Sequence, residues 1–226
     1  MSTSAKMAIG GEGLLCFKRS ILSKYPLSTQ KVFYDEQLWE DILDNLELLS
    51  RSKVEKNYNY KQLVAYVLIK TGKLYLTYKR TEKGGEERLH NKYSMGVGGH
   101  VNIGDRNQRQ LDTYPLHNRS RSLDFVIRGV WREIKEEVNV QSRIVRAPKL
   151  LCFVNDDSNV VGLVHFGLVW MLEVEKPKVA RSREGKGLGK IQFMDLEDLK
   201  RNQSHFEAWS QLLIDFLHKH TGELMK

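Results

Sequence analysis

Two apolar runs, QLVAYVLIK at 62–70 and KLYLTYKR at 73–80, flank Thr71-Gly72 and read as β-rich strands joined by a tight turn. Two further runs, Ile144–Val154 and Val160–Val174, are rich in Val, Leu and Phe, and the turn residues NDDSN separate them. Between these pairs, Ile127, Val130, Trp131, Ile134 and Val138 fall on one face of an amphipathic helix over Leu123–Val138. Ser122 stands where an N-cap would, and Asp124 lies in the first turn, where the helix dipole favours an anion. Strands in the middle with helices around them imply an α/β or α+β class with one main domain.

The flanks follow the same logic. The first dozen residues are small and polar and read as disordered. Glu12–Phe17 reads as a strand, and Asp35–Leu49 carries Leu38, Ile42, Leu46 and Leu49 at helical spacing. Residues 1–60 are thus expected to form an N-terminal extension packed on a main domain at 61–226. That domain closes with the strand IQFMD, a short helix near Leu196–Arg201, and a longer helix bearing Phe206, Trp209, Leu213, Phe216 and Leu217.

The composition limits the partners. With 226 residues, 41% of them hydrophobic, the chain can bury one good core. No apolar run reaches the roughly 20 residues of a membrane span, and MSTSAKMAIGGEG lacks the apolar core of a signal peptide. Cys16 and Cys152 sit in apolar surroundings, GLLCF and LLCFV, and read as buried thiols in a reducing cytoplasm. The formal charge of +8 favours anionic partners, either nucleic acid or phosphorylated small molecules.

Chemistry concentrates in two stretches. YSMGVGGHVNIGD carries Gly96, Gly98, Gly99 and Gly104, a loop that lets backbone approach a ligand or metal. The helix then carries REIKEE, placing Glu133, Glu136 and Glu137 at i, i+3 and i+4, nearly opposite the apolar stripe. Crowded carboxylates repel one another, and a divalent cation reverses that cost. Mg²⁺ suits hard oxygen ligands, with Mn²⁺ as the alternative. The competing reading of such a helix is a solvated charged face.

At these residues the chain resembles the Nudix hydrolases, whose motif is G, five residues, E, seven residues, then REUxEExGU with U aliphatic. Arg132, Glu133, Ile134, Glu136, Glu137 and Val140 match the second half, with Asn139 at the usual glycine. In the first half Gly99 is followed at the right spacing by Asp105 instead of Glu, and residues 106–131 stand where the family has seven. Asp124, seven residues before Arg132, is the alternative acid, and 106–121 reads as an insertion. The resemblance implies an α/β/α sandwich with a mixed β-sheet over about residues 60–200.

It also implies site roles. Glu133, Glu136 and Glu137 would bind the metal, and Arg132 would orient the glutamates by salt bridge. The carbonyl of Gly98 or Gly99 would approach the metal, and Asp105 would stand in the motif glutamate's place. His100 could touch a phosphate, with a structural histidine as the other reading. A late-loop acid often contributes the base in this family, and Glu184 is the candidate, with Glu82, Glu86 and Glu87 behind it. Arg106, Arg109, Arg119, Arg121, Lys178, Arg181, Arg183, Lys186 and Lys190 are candidates for phosphate contact. Tyr114 and His117 are candidates for base stacking.

The implied activity is a Mg²⁺-dependent pyrophosphohydrolase cleaving a diphosphate linkage in a nucleoside diphosphate derivative. RNA decapping is a sub-case. The alternative is a non-catalytic Nudix-type sensor of nucleotide or RNA, with isoprenoid diphosphate isomerisation last, since neither cysteine adjoins the loop or the helix. The expected partner is a nucleotide-type small molecule, with RNA and a homodimer as further expectations and no membrane.

Overall fold

The structure, a computed structural model, describes residues 13–26, 30–82, 89–105, 119–185 and 187–220. In chain order the elements are β1 (Gly13–Lys18), β2 (Val32–Phe33), α1 (Glu36–Asp44), β3 (Glu47–Ser50), the single turn α2 (Arg51–Val54), β4 (Tyr60–Thr71), β5 (Leu74–Arg80), β6 (Tyr93–Ser94) and β7 (Gly96–Val97). Then come α3 (Arg119–Glu137), β8 (Val138–Val140), β9 (Ile144–Val154), β10 (His165–Val174), β11 (Val179–Arg181), β12 (Leu188–Met194), α4 (Leu196–Arg201) and α5 (Ala208–Lys219). The main sheet runs β12-β5-β4-β10-β9-β2, and β8 pairs separately with β11. This is the expected α/β class. Among the described residues no helix is long and apolar enough to cross a membrane.

The chain divides into two compact units. The first comprises the described parts of Met1–Ala65, Gly99–Arg132 and Phe153–Leu168. Here β1 pairs antiparallel with β3, from Gly13↔Ser50 to Cys16↔Glu47, and with the start of β4. Phe33 lies opposite Phe153 where β2 meets β9. Phe166 packs edge-on against Phe17 at 5.2 Å and tilted against Phe153 at 5.4 Å. Such aromatic pairs add roughly 0.5–1.5 kcal/mol to the area they bury.

The second unit comprises the described parts of Tyr66–Gly98, Glu133–Cys152 and Val169–Lys226. Its hairpin closes with Lys70↔Tyr75 and Thr71↔Leu74, as the two runs predict. β12 pairs along the other side of β5, from Leu188↔Arg80 to Met194↔Tyr75. β7 pairs with β4 through Val67↔Val97 and Leu68↔Gly96.

Three local expectations are corrected. The helix expected over Asp35–Leu49 begins as predicted, capped by Asp35, whose carboxylate accepts the Leu38 amide at 2.8 Å. It ends at Asp44, and 47–50 instead pairs with β1, because strand pairing outweighs the helical spacing of Leu46 and Leu49. The strand expected from Val160 starts only at His165, because Asn159 Oδ1 accepts the Val161 and Gly162 amides and turns the chain. In α3, Ser122 lies inside the helix at 0% exposure rather than at its cap, one turn before Val126. The buried row is 122, 126, 130, 134 and 138, which leaves Ile127 at 36% exposure.

Candidate active site

Helix α3 carries the acidic motif on a face fixed by the Val130, Ile134 and Val138 row, each at most 3% exposed. Glu133, next to Ile134, is drawn in to 6% exposure, so it is not on the open side opposite the apolar stripe. Glu136 and Glu137 are half-buried in the last turn. Burial pushes the Glu137 carboxyl above the usual range, with Glu136 adding to the rise and the Arg80 guanidinium opposing it. The second unit thus holds a partly desolvated Glu137 carboxyl, whose charge burial disfavours, next to half-buried Glu136.

The C-terminal end of α3 is tied to the loop after β11. The Ser182 amide donates to the Glu137 carbonyl at 3.1 Å, and the Ser182 hydroxyl donates to the Glu136 carbonyl. A Cβ at Gly185 would lie 2.2 Å from the Glu137 carbonyl, so this close approach demands glycine. Glu184 belongs to this loop, its amide bonded to Ser182 Oγ at 3.1 Å and its side chain exposed. Helix satisfaction and loop placement therefore use the same serine.

The glycine loop rests on a buried polar hub within the same unit. A Cβ at Gly96 would meet the Tyr66 ring at 1.9 Å, so the ring occupies the space a side chain would need. Tyr66 Oη donates to Glu207 at 2.7 Å and lies 2.8 Å from Ser210 Oγ. Glu207 also caps α5 by accepting the Trp209 and Ser210 amides. Tyr78 Oη donates to the Gly96 carbonyl at 2.9 Å, and Ser210 Oγ accepts the Met95 amide at 3.0 Å. Gly98, at φ +150°, follows this anchored segment.

In the first unit, Arg132 closes a clamp across residues 99–105. Its Nε donates to Asp105 Oδ1 at 2.5 Å, and its Nη2 donates to Asp105 Oδ2 at 3.2 Å and to the His100 carbonyl at 2.8 Å. The Asp105 side chain is 0% exposed and also accepts the Asn102 amide. Of the two candidate aspartates, Asp105 is therefore Arg132's partner, while Asp124 pairs with Arg128 on the helix surface. The Gly99 carbonyl accepts the Ala65 amide at 2.9 Å.

His100 is enclosed. Its Nε2 lies 2.9 Å from His165 Nε2, and His165 Nδ1 lies 2.7 Å from the Val161 carbonyl. A carbonyl only accepts, so His165 carries its proton on Nδ1 and His100 donates from Nε2. Desolvation, followed by His165, Arg51 and Arg132, pushes the His100 pKa down to about 3. Unfolded His100 has a pKa near 6.5, so below that value the unfolded chain binds a proton that the folded chain refuses. Stability is expected to fall with acidification from pH 6.5 to 4, by up to about 1.4 kcal/mol per pH unit from this residue. Chemical denaturation of wild type and His100→Gln across that range checks it. Equal pH slopes for the two would refute this assignment of the proton.

The other candidates are placed as follows. Arg119 is exposed and ion-paired with Glu40 and Asp44, so its charge serves α1. Arg181 donates to the Leu188 carbonyl at 3.3 Å. Glu82, Arg121, Lys178, Arg183 and Lys190 are exposed. Glu86, Glu87, Arg106, Arg109, Tyr114, His117 and Lys186 lie outside the described residues. The sequence reading missed Arg80, Tyr66, Tyr78 and Glu207. Strand alternation placed Tyr78 and Arg80 on one face, but nothing in the pattern told that face from a solvated one.

No family model matches the chain. Protein YmaB of Bacillus subtilis (strain 168) is 28% identical over 211 residues, covering 90% of this chain and 96% of YmaB. The crystal structure of Tm1382, described as a candidate Nudix hydrolase, superposes with a TM-score of 0.70 at 25% identity, covering 91% of this chain and 98% of Tm1382. The chain has the fold of a Nudix hydrolase. In this chain the end of the motif helix and the late loop are joined through Ser182, within one compact unit.

Proposed function

We propose that this chain is a divalent-metal-dependent pyrophosphohydrolase that cleaves the diphosphate linkage of a nucleoside diphosphate derivative. The observation that carries the reading is the end of α3, where Glu136 and Glu137 stand side by side and partly desolvated one turn after buried Glu133. Burial disfavours the Glu137 charge, and a bound divalent cation would favour it. Among the described residues no three acidic, His or Cys side chains converge as a ready-made cation cage. Mg²⁺ or Mn²⁺ is often held by one or two carboxylates, with waters and substrate phosphates completing the shell. Glu136 and Glu137 are the residues that would hold it, with Glu133 buried one turn before them. A bound cation would supply neutralisation of pyrophosphate oxygens and activation of water.

The protein's own part is proton transfer and positioning. Glu184, on the loop tied to the end of the motif helix, is the candidate base that would take a proton from attacking water. Arg132 and Asp105 hold residues 99–105 against the helix within the first unit, fixing the backbone that follows the glycine pair. Cys16 and Cys152 are both buried and pushed up to about 12, so neither is a nucleophile, and both suit the reducing cytoplasm we propose for the chain.

The test is release of phosphate and nucleotide from nucleoside di- and triphosphates, sugar nucleotides, dinucleoside polyphosphates and capped RNA, with Mg²⁺, Mn²⁺ or EDTA. Cleavage of one substrate class, abolished by EDTA, is expected. Tight nucleotide binding with no product under any metal would replace the hydrolase with a non-catalytic sensor.

A further inference from the structure

The Arg80 guanidinium is underused for a group so far inside. Its Nε is buried with no hydrogen-bond partner. Among the described residues its guanidinium makes one hydrogen bond, a long one of 3.5 Å from Nη2 to Tyr78 Oη, and its Cζ lies 5.9 Å from the Tyr78 ring centroid. A guanidinium has five N–H donors, so most are unspent. A buried cation lacking partners destabilises a fold and is expected to be replaced unless it serves something else.

The root of the side chain is fixed. The Arg80 amide donates to the Lys92 carbonyl at 2.8 Å, its carbonyl accepts the Asn91 amide at 3.1 Å, and its Cα pairs with Leu188 of β12. The side chain is half-buried, so its outer N–H groups are open to a ligand. Its electrostatic surroundings are the Tyr78 and Tyr66 phenols, then the carboxylates of Glu207 in the hub and Glu137 at the end of α3. This group lies within the second unit, together with Glu133, Glu136 and Glu137. A planar fork with spare donors, in electrostatic reach of Glu137, suits a ligand that brings several acceptor oxygens and negative charge, as a phosphate does.

We propose that Arg80 is a substrate-binding residue that takes a phosphate oxygen of the diphosphate at the Glu137 end of α3. The assignment rests on the diphosphate reading above and adds to it a fixed protein cation on the phosphates. In this role Arg80 acts on ground-state binding as well as the transition state, so its loss moves KM more than kcat.

The test uses Arg80→Met and Arg80→Lys in the full chain. ADP and inorganic pyrophosphate are titrated calorimetrically with Mg²⁺ and with EDTA, steady-state kinetics follow on whichever substrate the wild type cleaves, and Tm is recorded. Arg80→Met is expected to weaken ADP and pyrophosphate binding about 10- to 100-fold in both conditions, the range of a lost charge-assisted contact. KM should rise more than kcat falls. Tm should hold or increase, because methionine fills the space without a stranded charge. Arg80→Lys, which keeps the charge and loses the fork, should lie between. Unchanged binding in Arg80→Met overturns the assignment, as does a fall in Tm of several degrees accompanying lost binding, which marks a structural arginine. The underlying reading fails separately: a wild type that binds diphosphates through Arg80 without cleaving them keeps the assignment and removes the hydrolase.

Discussion

Glu136→Gln is expected to lower metal-dependent turnover roughly 10²- to 10⁴-fold, the range seen when a positioned carboxylate is removed from proton or charge transfer. That loss corresponds to about 3–5 kcal/mol of transition-state stabilisation. The change keeps the side chain's size, and the backbone beneath it is held independently, since the Ser182 hydroxyl bonds the Glu136 carbonyl rather than its carboxylate. Glu136 adds to the rise in the Glu137 carboxyl, so removing its charge relieves repulsion at the end of the helix. Glu133 stands three residues before Glu136, and like charges at that spacing cost some tenths of a kcal/mol on an open helix, so Tm should stay level or rise slightly. Wild type should also gain Tm when Mg²⁺ is added, by mass action on the folded state, and the variant should gain less. Initial rates and thermal melts with and without metal decide the matter. A Gln variant that kept most of its turnover would take Glu136 out of the site.

How much of this was legible depends on the range over which each signal acts. The hairpin 62–80, the strand Ile144–Val154 and the helix Leu196–Arg201 are set by local composition and turn residues, and all three lie where the sequence put them. The spacing of Glu133, Glu136 and Glu137 is a property of the helix itself, so their shared position could be read before any contact was known. The failures are those of competing long-range terms. Leu46 and Leu49 have helical spacing, but β1 reaches residues 47–50 and turns them into a strand. Ser122 has the chemistry of a cap, but the helix already runs from Arg119, so the serine falls in the buried row.

The same distinction holds at the site. That Asp105 rather than Asp124 would join Arg132 could not be read, because 106–131 intervene and both aspartates stand at plausible spacings. The bond from Tyr66 to Glu207 links a strand to a helix cap far along the chain, and no period or motif connects them. Arg80 was hidden differently. In sequence it ends a strand with the lysine before it, a pattern that usually meets solvent. Only the burial of Nε without a partner marks it as unusual.

Lys61→Met is the largest stability effect expected, a loss of about 3 kcal/mol, the upper range for losing charge-assisted hydrogen bonds of a buried group. The Lys61 side chain is 0% exposed, and its Nζ donates to Asp157 Oδ1 at 2.6 Å, the Gly162 carbonyl at 2.6 Å and the His165 carbonyl at 3.2 Å. Burial lowers the Lys61 pKa and Asp157 opposes the shift, so the ammonium is held by these three acceptors. Methionine replaces the stem but takes a donor from the Gly162 and His165 carbonyls, the first of which keeps the His165 amide, and among the described residues Asp157 keeps the Arg19 guanidinium. For a chain of this size the expected fall in Tm is about 10 °C. The consequence reaches further because Lys61 fixes both ends of the turn 162–165, and His165 is the ring against which His100 rests. If that turn loosens, water reaches His100 and its depressed pKa rises toward the ordinary value. Lys61→Met should therefore also flatten the acid slope of stability between pH 6.5 and 4, relative to wild type. Denaturant melts across that range measure both effects. A variant that lost stability but kept the full slope would show that the His100 enclosure does not depend on Lys61, and one that lost neither would show the buried lysine to be dispensable.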